Sequence, residues 1–227
     1  MRRVLTAGLA GMLATGLSMA TPSTNIWNPT TDVQAKGTFH LGIDNYFSIA
    51  KNRTKAYGFP TDVGLTYGPG YGFEIGIDVM EPTPNPITFN AKWALPENKV
   101  WPAFAVGVQG VGIHKTTQSN IFYALLAKTW DPVGRITAGG YKGKKSALSA
   151  GRSSGSYGAI VAWDRSFGDK WWASVDYASG NNLYGEVAFG GSYKFAKNVS
   201  VLASYVVFTR HSYNPNNTFS TQLDIDF

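Results

Sequence analysis

Cysteine is absent from all 227 residues, which excludes disulfide frameworks, thiolate zinc sites, thioredoxin-like redox motifs and thiol-linked haem. Charge is also scarce. Asp, Glu, Lys and Arg make up 15% of the chain, against about 25% in soluble domains, too little to coat a water-facing surface of this size. No stretch of about 18 apolar residues occurs, so no helical membrane span is expected. Acids are fewer than bases, 14 against 20, giving a formal net charge of +6. A basic balance raises the question of nucleic acid, but no aromatic-basic groove motif accompanies it, and export signals argue against that partner. Clustered ligand spacing is missing too, so no metal or cofactor is expected.

What is plentiful is aromatic residues, 14%, and glycine, 26 residues. At the amino end, Arg2 and Arg3 precede a weakly apolar run from Val4 to Leu17 and the small-x-small triplet Ser18, Met19, Ala20. This pattern predicts a cleaved secretory signal over residues 1–20. A polar leader follows over residues 21–36 with Ile26, Trp27, Asn28 and Pro29, either a loose periplasmic tail or a strap packed inside a barrel. An exported chain without disulfides is well served by a closed sheet, which satisfies its own backbone.

Period-two alternation places twelve strands, near Phe39 to Ile49, Pro60 to Gly68, Tyr71 to Met80, Ile87 to Leu95, Trp101 to Val111, Ile121 to Trp130, Gly134 to Tyr141, Tyr157 to Arg165, Trp171 to Ala178, Tyr184 to Phe195, Val199 to Thr209 and Thr218 to Phe227. Most match the 9 to 11 residues that a tilted strand needs to cross a bilayer. The third strand sets Phe73, Ile75, Ile77 and Val79 against Glu74, Gly76 and Asp78. The last sets Phe219, Thr221, Leu223, Ile225 and Phe227 against Ser220, Gln222, Asp224 and Asp226.

That closing strand with its terminal aromatic resembles those of Gram-negative outer-membrane β-barrels. The resemblance implies an all-β fold, a transmembrane antiparallel up-and-down barrel of 12 strands over residues 37–227, inserted in the outer membrane by the barrel-assembly machinery with Phe227 as assembly signal. With the amino end in the periplasm, Phe39, Tyr67, Tyr71, Trp93, Trp101, Trp130, Trp163, Trp171, Phe195 and Phe227 gather at the periplasmic rim. Phe47, Tyr123, Tyr157, Tyr177 and Phe219 gather at the outer rim. Two aromatic girdles suit a bilayer and have no cause in a soluble sandwich. The periplasmic connections are short turns, and the longest outward one runs from Lys142 to Gly155.

Functional expectations follow from charge. Lys142, Lys144, Lys145 and Arg152 form part of a basic outer rim that could bind lipopolysaccharide phosphates or gather anions. Asp44, Glu74, Asp78, Lys92, Lys128, Arg135, Asp176 and Glu186 point inward, to pair with each other, meet water, or select solutes. Asp62, Asp164, Asp224 and Asp226 share that inward register. Phe122, Leu126, Ile160, Leu202, Val206 and Phe208 also fall inward. Either one interior wall is greasy, serving hydrophobic solutes or the leader, or one or two registers are inverted, as a bulge can cause.

No catalytic residues are expected. Gly151, Ser153 and Gly155 have nucleophile-elbow spacing but no following helix; His114 near Ser119 and His211 near Ser212 read better as solvated loop residues. The expected function is a narrow passive channel for small solutes with weak cation preference. The alternatives are a structural barrel binding lipopolysaccharide or a periplasmic partner, and a channel for hydrophobic small molecules.

Overall fold

A computed structural model of the chain describes residues 22–48, 60–115, 117–149 and 155–227. The segment expected to be a signal peptide, and Arg152, lie outside the described residues. The twelve strands are β1 (Phe39–Phe47), β2 (Thr61–Gly70), β3 (Phe73–Glu81), β4 (Ile87–Leu95), β5 (Ala103–Gly112), β6 (Ile121–Trp130), β7 (Gly134–Lys142), β8 (Tyr157–Phe167), β9 (Trp171–Ala178), β10 (Glu186–Ala196), β11 (Val199–Phe208) and β12 (Thr218–Asp226). Each pairs antiparallel with its sequence neighbours, and β1 pairs with β12 to close the barrel. One helical turn, α1 (Lys145–Leu148), lies in the connection from β7 to β8.

The seam puts the last residue to use. Phe39 donates its backbone N–H to the Phe227 carbonyl at 2.7 Å, and Phe227 returns the bond at 2.9 Å. Their rings stack with centroids 5.8 Å apart. A closed ladder leaves no strand edge for water or another chain to pair with.

Alternation sorts the side chains as a bilayer requires. Phe73, Ile75, Phe89, Leu95, Phe122, Leu126, Val161 and Phe189 face outward and are exposed. So continuous an apolar exterior suits hydrocarbon, not water. Tyr71, Trp101, Trp130, Trp171, Phe195 and Phe227 stand exposed at the short-turn end, and Phe47, Tyr157 and Tyr177 at the other. The short-turn end carries connections as tight as the two residues between β2 and β3, where Gly72 adopts φ +78°, a conformation that glycine reaches without strain. The fold is an all-β transmembrane-type barrel of twelve strands, as the alternation predicts.

One register is corrected. On β6, Ile121, Tyr123, Leu125 and Ala127 face inward and are buried, while Phe122 and Leu126 are 63% and 51% exposed. Both faces of β6 are apolar, so alternation alone leaves its phase open. The structure fixes it through Gly107, directly across from Tyr123 on β5: a side chain at Gly107 would collide with the Tyr123 ring. Tyr123 thus belongs to the interior, not to the outer girdle. Lys128 shares the outward phase and sits at the short-turn end, bound to the β4–β5 turn instead of lining the lumen.

Candidate functional site

The lumen contains the leader. Thr24 bridges to Pro29, and the Asn25 N–H donates to the Asn28 carbonyl at 2.9 Å, so residues 23–30 form a tight loop. Its tip points the N–H groups of Ile26, Trp27 and Asn28 at one oxygen, Asp176 Oδ2 on β9, at 3.1, 3.0 and 3.0 Å. Successive N–H groups in a turn make a concavity suited to an anion. Asn28 Nδ2 donates to Glu186 on β10 at 2.7 Å, and Gln222 on β12 donates to the Ile26 carbonyl at 2.9 Å.

The greasy interior wall is explained by the same loop. Ile26 packs in a buried cluster with Trp172, Ala188, Leu202, Val206 and Phe208. Trp27 touches that cluster and a second one containing Ile121, Tyr123, Leu125, Leu148, Ile160 and Tyr184. Burying Ile26 alone is worth roughly 1.5–3 kcal/mol.

Further along, Asp32 pairs with Arg135 on β7, whose Nε also donates to Asp164 on β8 at 2.8 Å. The Gln34 N–H donates to Glu74 on β3 at 2.7 Å. Glu74 faces Lys92 across β3 and β4, 3.3 Å from its ammonium, and Lys92 donates to the Ser23 carbonyl at 3.1 Å. His40 lies 3.3 Å from Asp224 and 2.9 Å from Asp226. The leader is therefore fastened to β3, β4, β7, β9, β10 and β12.

The sequence-predicted lumen residues divide accordingly. Glu74, Lys92, Arg135, Asp176 and Glu186 hold the leader. Lys128 pairs with Glu97 at 2.9 Å in the β4–β5 turn. Partial burial there works against the charged carboxyl, yet bonds from Lys128 and Thr129 hold Glu97 below its ordinary value. Asp44 and Asp78 remain, joined by Asp62, in a cavity of about 480 Å³ between the leader and the β1–β5 wall.

Glycines make that space. Gly42, Gly64 and Gly76 line it; Gly42 lies directly across from Gly64 on the neighbouring strand, and a Cβ at Gly42 would meet nothing nearer than 3.7 Å. Asp44 is directly opposite Asp62, and Asp78 is opposite Gly64. Like charges facing each other across a strand pair destabilise it, and no described Lys or Arg forms an ion pair with any of the three. Asp78 is steadied by Asn90 Nδ2 at 2.6 Å. Asp62 Oδ1 is shielded and has no hydrogen-bond partner among the described residues. Among the described residues no three carboxylate or imidazole groups converge closely enough to hold a metal ion, so the trio is spread along the wall.

The other side of the cavity is apolar, with Trp27, Ile121, Tyr123, Leu148 and Tyr184. Tyr184 accepts a bond from Gln109 at 3.0 Å, and burial, then Glu186, push its hydroxyl well above the ordinary tyrosine value, so it stays neutral. At the loop end, Lys142 and Lys145 are exposed and Lys144 precedes α1. Sequence reasoning left the leader as either a loose tail or a packed strap, and the structure shows the strap, held by contacts to Asp176 and Glu186 that the sequence did not assign. The signal for the strap was the coincidence of an apolar Ile26-Trp27 pair with a greasy inner wall.

Comparison with known proteins adds little to this geometry. No protein-family model and no curated protein matches the chain. Among solved structures it is similar to the KdgM porin, at 10% identity and TM-score 0.49, covering 84% of this chain and 98% of that one. It is also similar to OmpF of Salmonella typhi, at 8% identity and TM-score 0.47, covering 84% and 96%. Identities and scores this low carry no solute or mechanism to this chain.

Proposed function

We propose that the chain is an outer-membrane barrel that passes small solutes, with a preference for cations, along the β1–β5 wall beside a leader that fills the rest of the lumen. The observation behind this reading is the trio Asp44, Asp62 and Asp78, which face one cavity and form no ion pair with a described Lys or Arg, while the basic groups lining the same cavity, Lys92 and His40, are taken up by Glu74 and by Asp224 and Asp226. Carboxylates in a narrow, low-dielectric space attract cations more strongly than exposed loop charges repel them. Interior selectivity therefore falls to these three, and Glu74, Asp176 and Glu186, engaged by the leader, drop out of the proposed filter. The contacts of Lys92 and Glu74 with the leader stand at the periplasmic end and set the resistance of the path. The basic rim of Lys142, Lys144, Lys145 and Arg152 acts on lipopolysaccharide and on access rate. Phe227 serves both the seam and the assembly signal.

Planar-bilayer reversal potentials of the purified mature barrel test this. Cation preference is expected, falling toward none when Asp44, Asp62 and Asp78 are all changed to Asn and persisting when the four rim residues are changed to Gln. A silent bilayer from a folded barrel overturns the channel. It favours a structural barrel that binds lipopolysaccharide, a reading supported by how completely the leader is fastened.

A further inference from the structure

The cavity has two unlike sides, and a single ligand chemistry satisfies both. On β1, β2 and β3 stand Asp44, Asp62 and Asp78, and the cavity is also lined by Trp27, Ile121, Tyr123, Leu148 and Tyr184; its other ionisable lining groups are paired among themselves, His40 with Asp224 and Lys92 with Glu74. Asp62 Oδ1 is shielded from solvent with no partner among the described residues, an acceptor left open where leaving one open is costly. The volume of about 480 Å³ falls within the range that encloses small organic molecules.

An inorganic cation would answer the carboxylates and leave the aromatic side without a role. A neutral apolar solute would fit the aromatics and leave the carboxylates unpaired, which costs more than the burial returns. An organic anion is repelled by the trio. What remains is a molecule with one ammonium and an apolar, preferably aromatic, body. The ammonium meets Asp62 and its neighbours, while the body lies against Tyr123, Leu148 and Tyr184. Aromatic faces add attraction for the cationic end where it passes over them.

The geometry points to this cavity as a saturable binding site for primary organic amines with an apolar body. The inference rests on the cation-preferring reading of the same wall, and names the class of solute that the wall recognises.

The test uses the folded barrel in detergent, with heat-modifiable mobility as the check of folding. Binding of phenethylamine, 2-phenylethanol and phenylacetate is measured by calorimetry, and conductance is recorded on the same preparation. Saturable binding of the amine is expected, about tenfold or more tighter than the alcohol, with no binding of the acid. Asp62→Asn should weaken the amine by about tenfold and leave the alcohol unchanged, whereas Leu148→Ala should weaken both. Equal binding of amine and alcohol, or no binding of the amine to a folded barrel, overturns the inference. Cation-preferring current without amine binding overturns the inference and leaves the channel standing. Amine binding with no current does the reverse.

Discussion

Replacing Asp176 with Ala should free the leader, because three N–H groups at 3.0–3.1 Å lose their common acceptor at once. Hydrogen bonds to a charged group contribute about 1.5–3 kcal/mol each. The lower value is the right one here, since removing the carboxylate also relieves its own desolvation. The docked state should lose about 4–5 kcal/mol, or about a 10³-fold shift in the docking equilibrium. The absence of cysteine gives a clean readout: Asn25→Cys places a single thiol at a position that is 0% exposed. A buried thiol reacts with maleimide only through local opening, so its rate follows the undocking equilibrium. Labelling should rise about 10³-fold in the Asp176→Ala background and far less with Asp176→Asn, which keeps one carbonyl oxygen as acceptor. Conductance should increase in parallel as the leader vacates the lumen. A labelling rate that changes less than about threefold would mean that the other contacts hold the loop and that the N–H cradle is incidental.

Three other perturbations separate lipid face, lumen and turn. Ile75, outward and half exposed, should cost about 2–4 kcal/mol as Arg in unfolding from liposomes; Arg at inward Gly76 should cost less stability while obstructing current, and equal costs would refute the assigned faces. Gly42→Phe should fold with a loss under about 1–3 kcal/mol, since its Cβ meets nothing within 3.7 Å and the ring enters open space; current unchanged by that ring would place the path elsewhere. Glu97→Gln should lower the unfolding midpoint near neutral pH. A carboxyl held below its ordinary value of 4.5 in the folded state stabilises above that value, and the contribution is lost as pH falls through the lowered one, so an equal deficit at acid pH would contradict the Lys128 pairing.

The barrel was legible in the sequence for a physical reason: a strand with lipid on one side and water or packed side chains on the other must alternate. Ile87–Leu95, Ile121–Trp130 and Trp171–Ala178 coincide with the strands read from alternation. The phase of β6 was not legible, because Ile121-Phe122-Tyr123-Ala124-Leu125-Leu126 is apolar on both faces and only the space above Gly107 chooses. Inward charge was legible at Glu74 and Asp176, but its use was not. Pairing of Glu74 with Lys92 follows from neighbouring-strand register, which could have been counted; the grip of Asp176 on Ile26, Trp27 and Asn28 spans about 150 residues, and no local pattern encodes it.

The leader and the cavity are best understood together. Twelve strands enclose more width than side chains alone fill in an eight-strand barrel, yet less than the aqueous channels of 16 to 18 strands. The leader takes up the excess along β8–β12, where Leu202, Val206 and Phe208 would otherwise face water. In doing so it also sorts the charges. Nine acids face inward; Glu74, Asp164, Asp176, Glu186, Asp224 and Asp226 are each bound to the leader, to a base or to His40. Asp44, Asp62 and Asp78 are what is left, and all three line the cavity beside the leader. Burial that merely stabilised the fold had no need to leave like charges opposed across β1 and β2. Such a local cost is kept where a site uses it, so selectivity should be lost by neutralising these three acids while the leader stays docked.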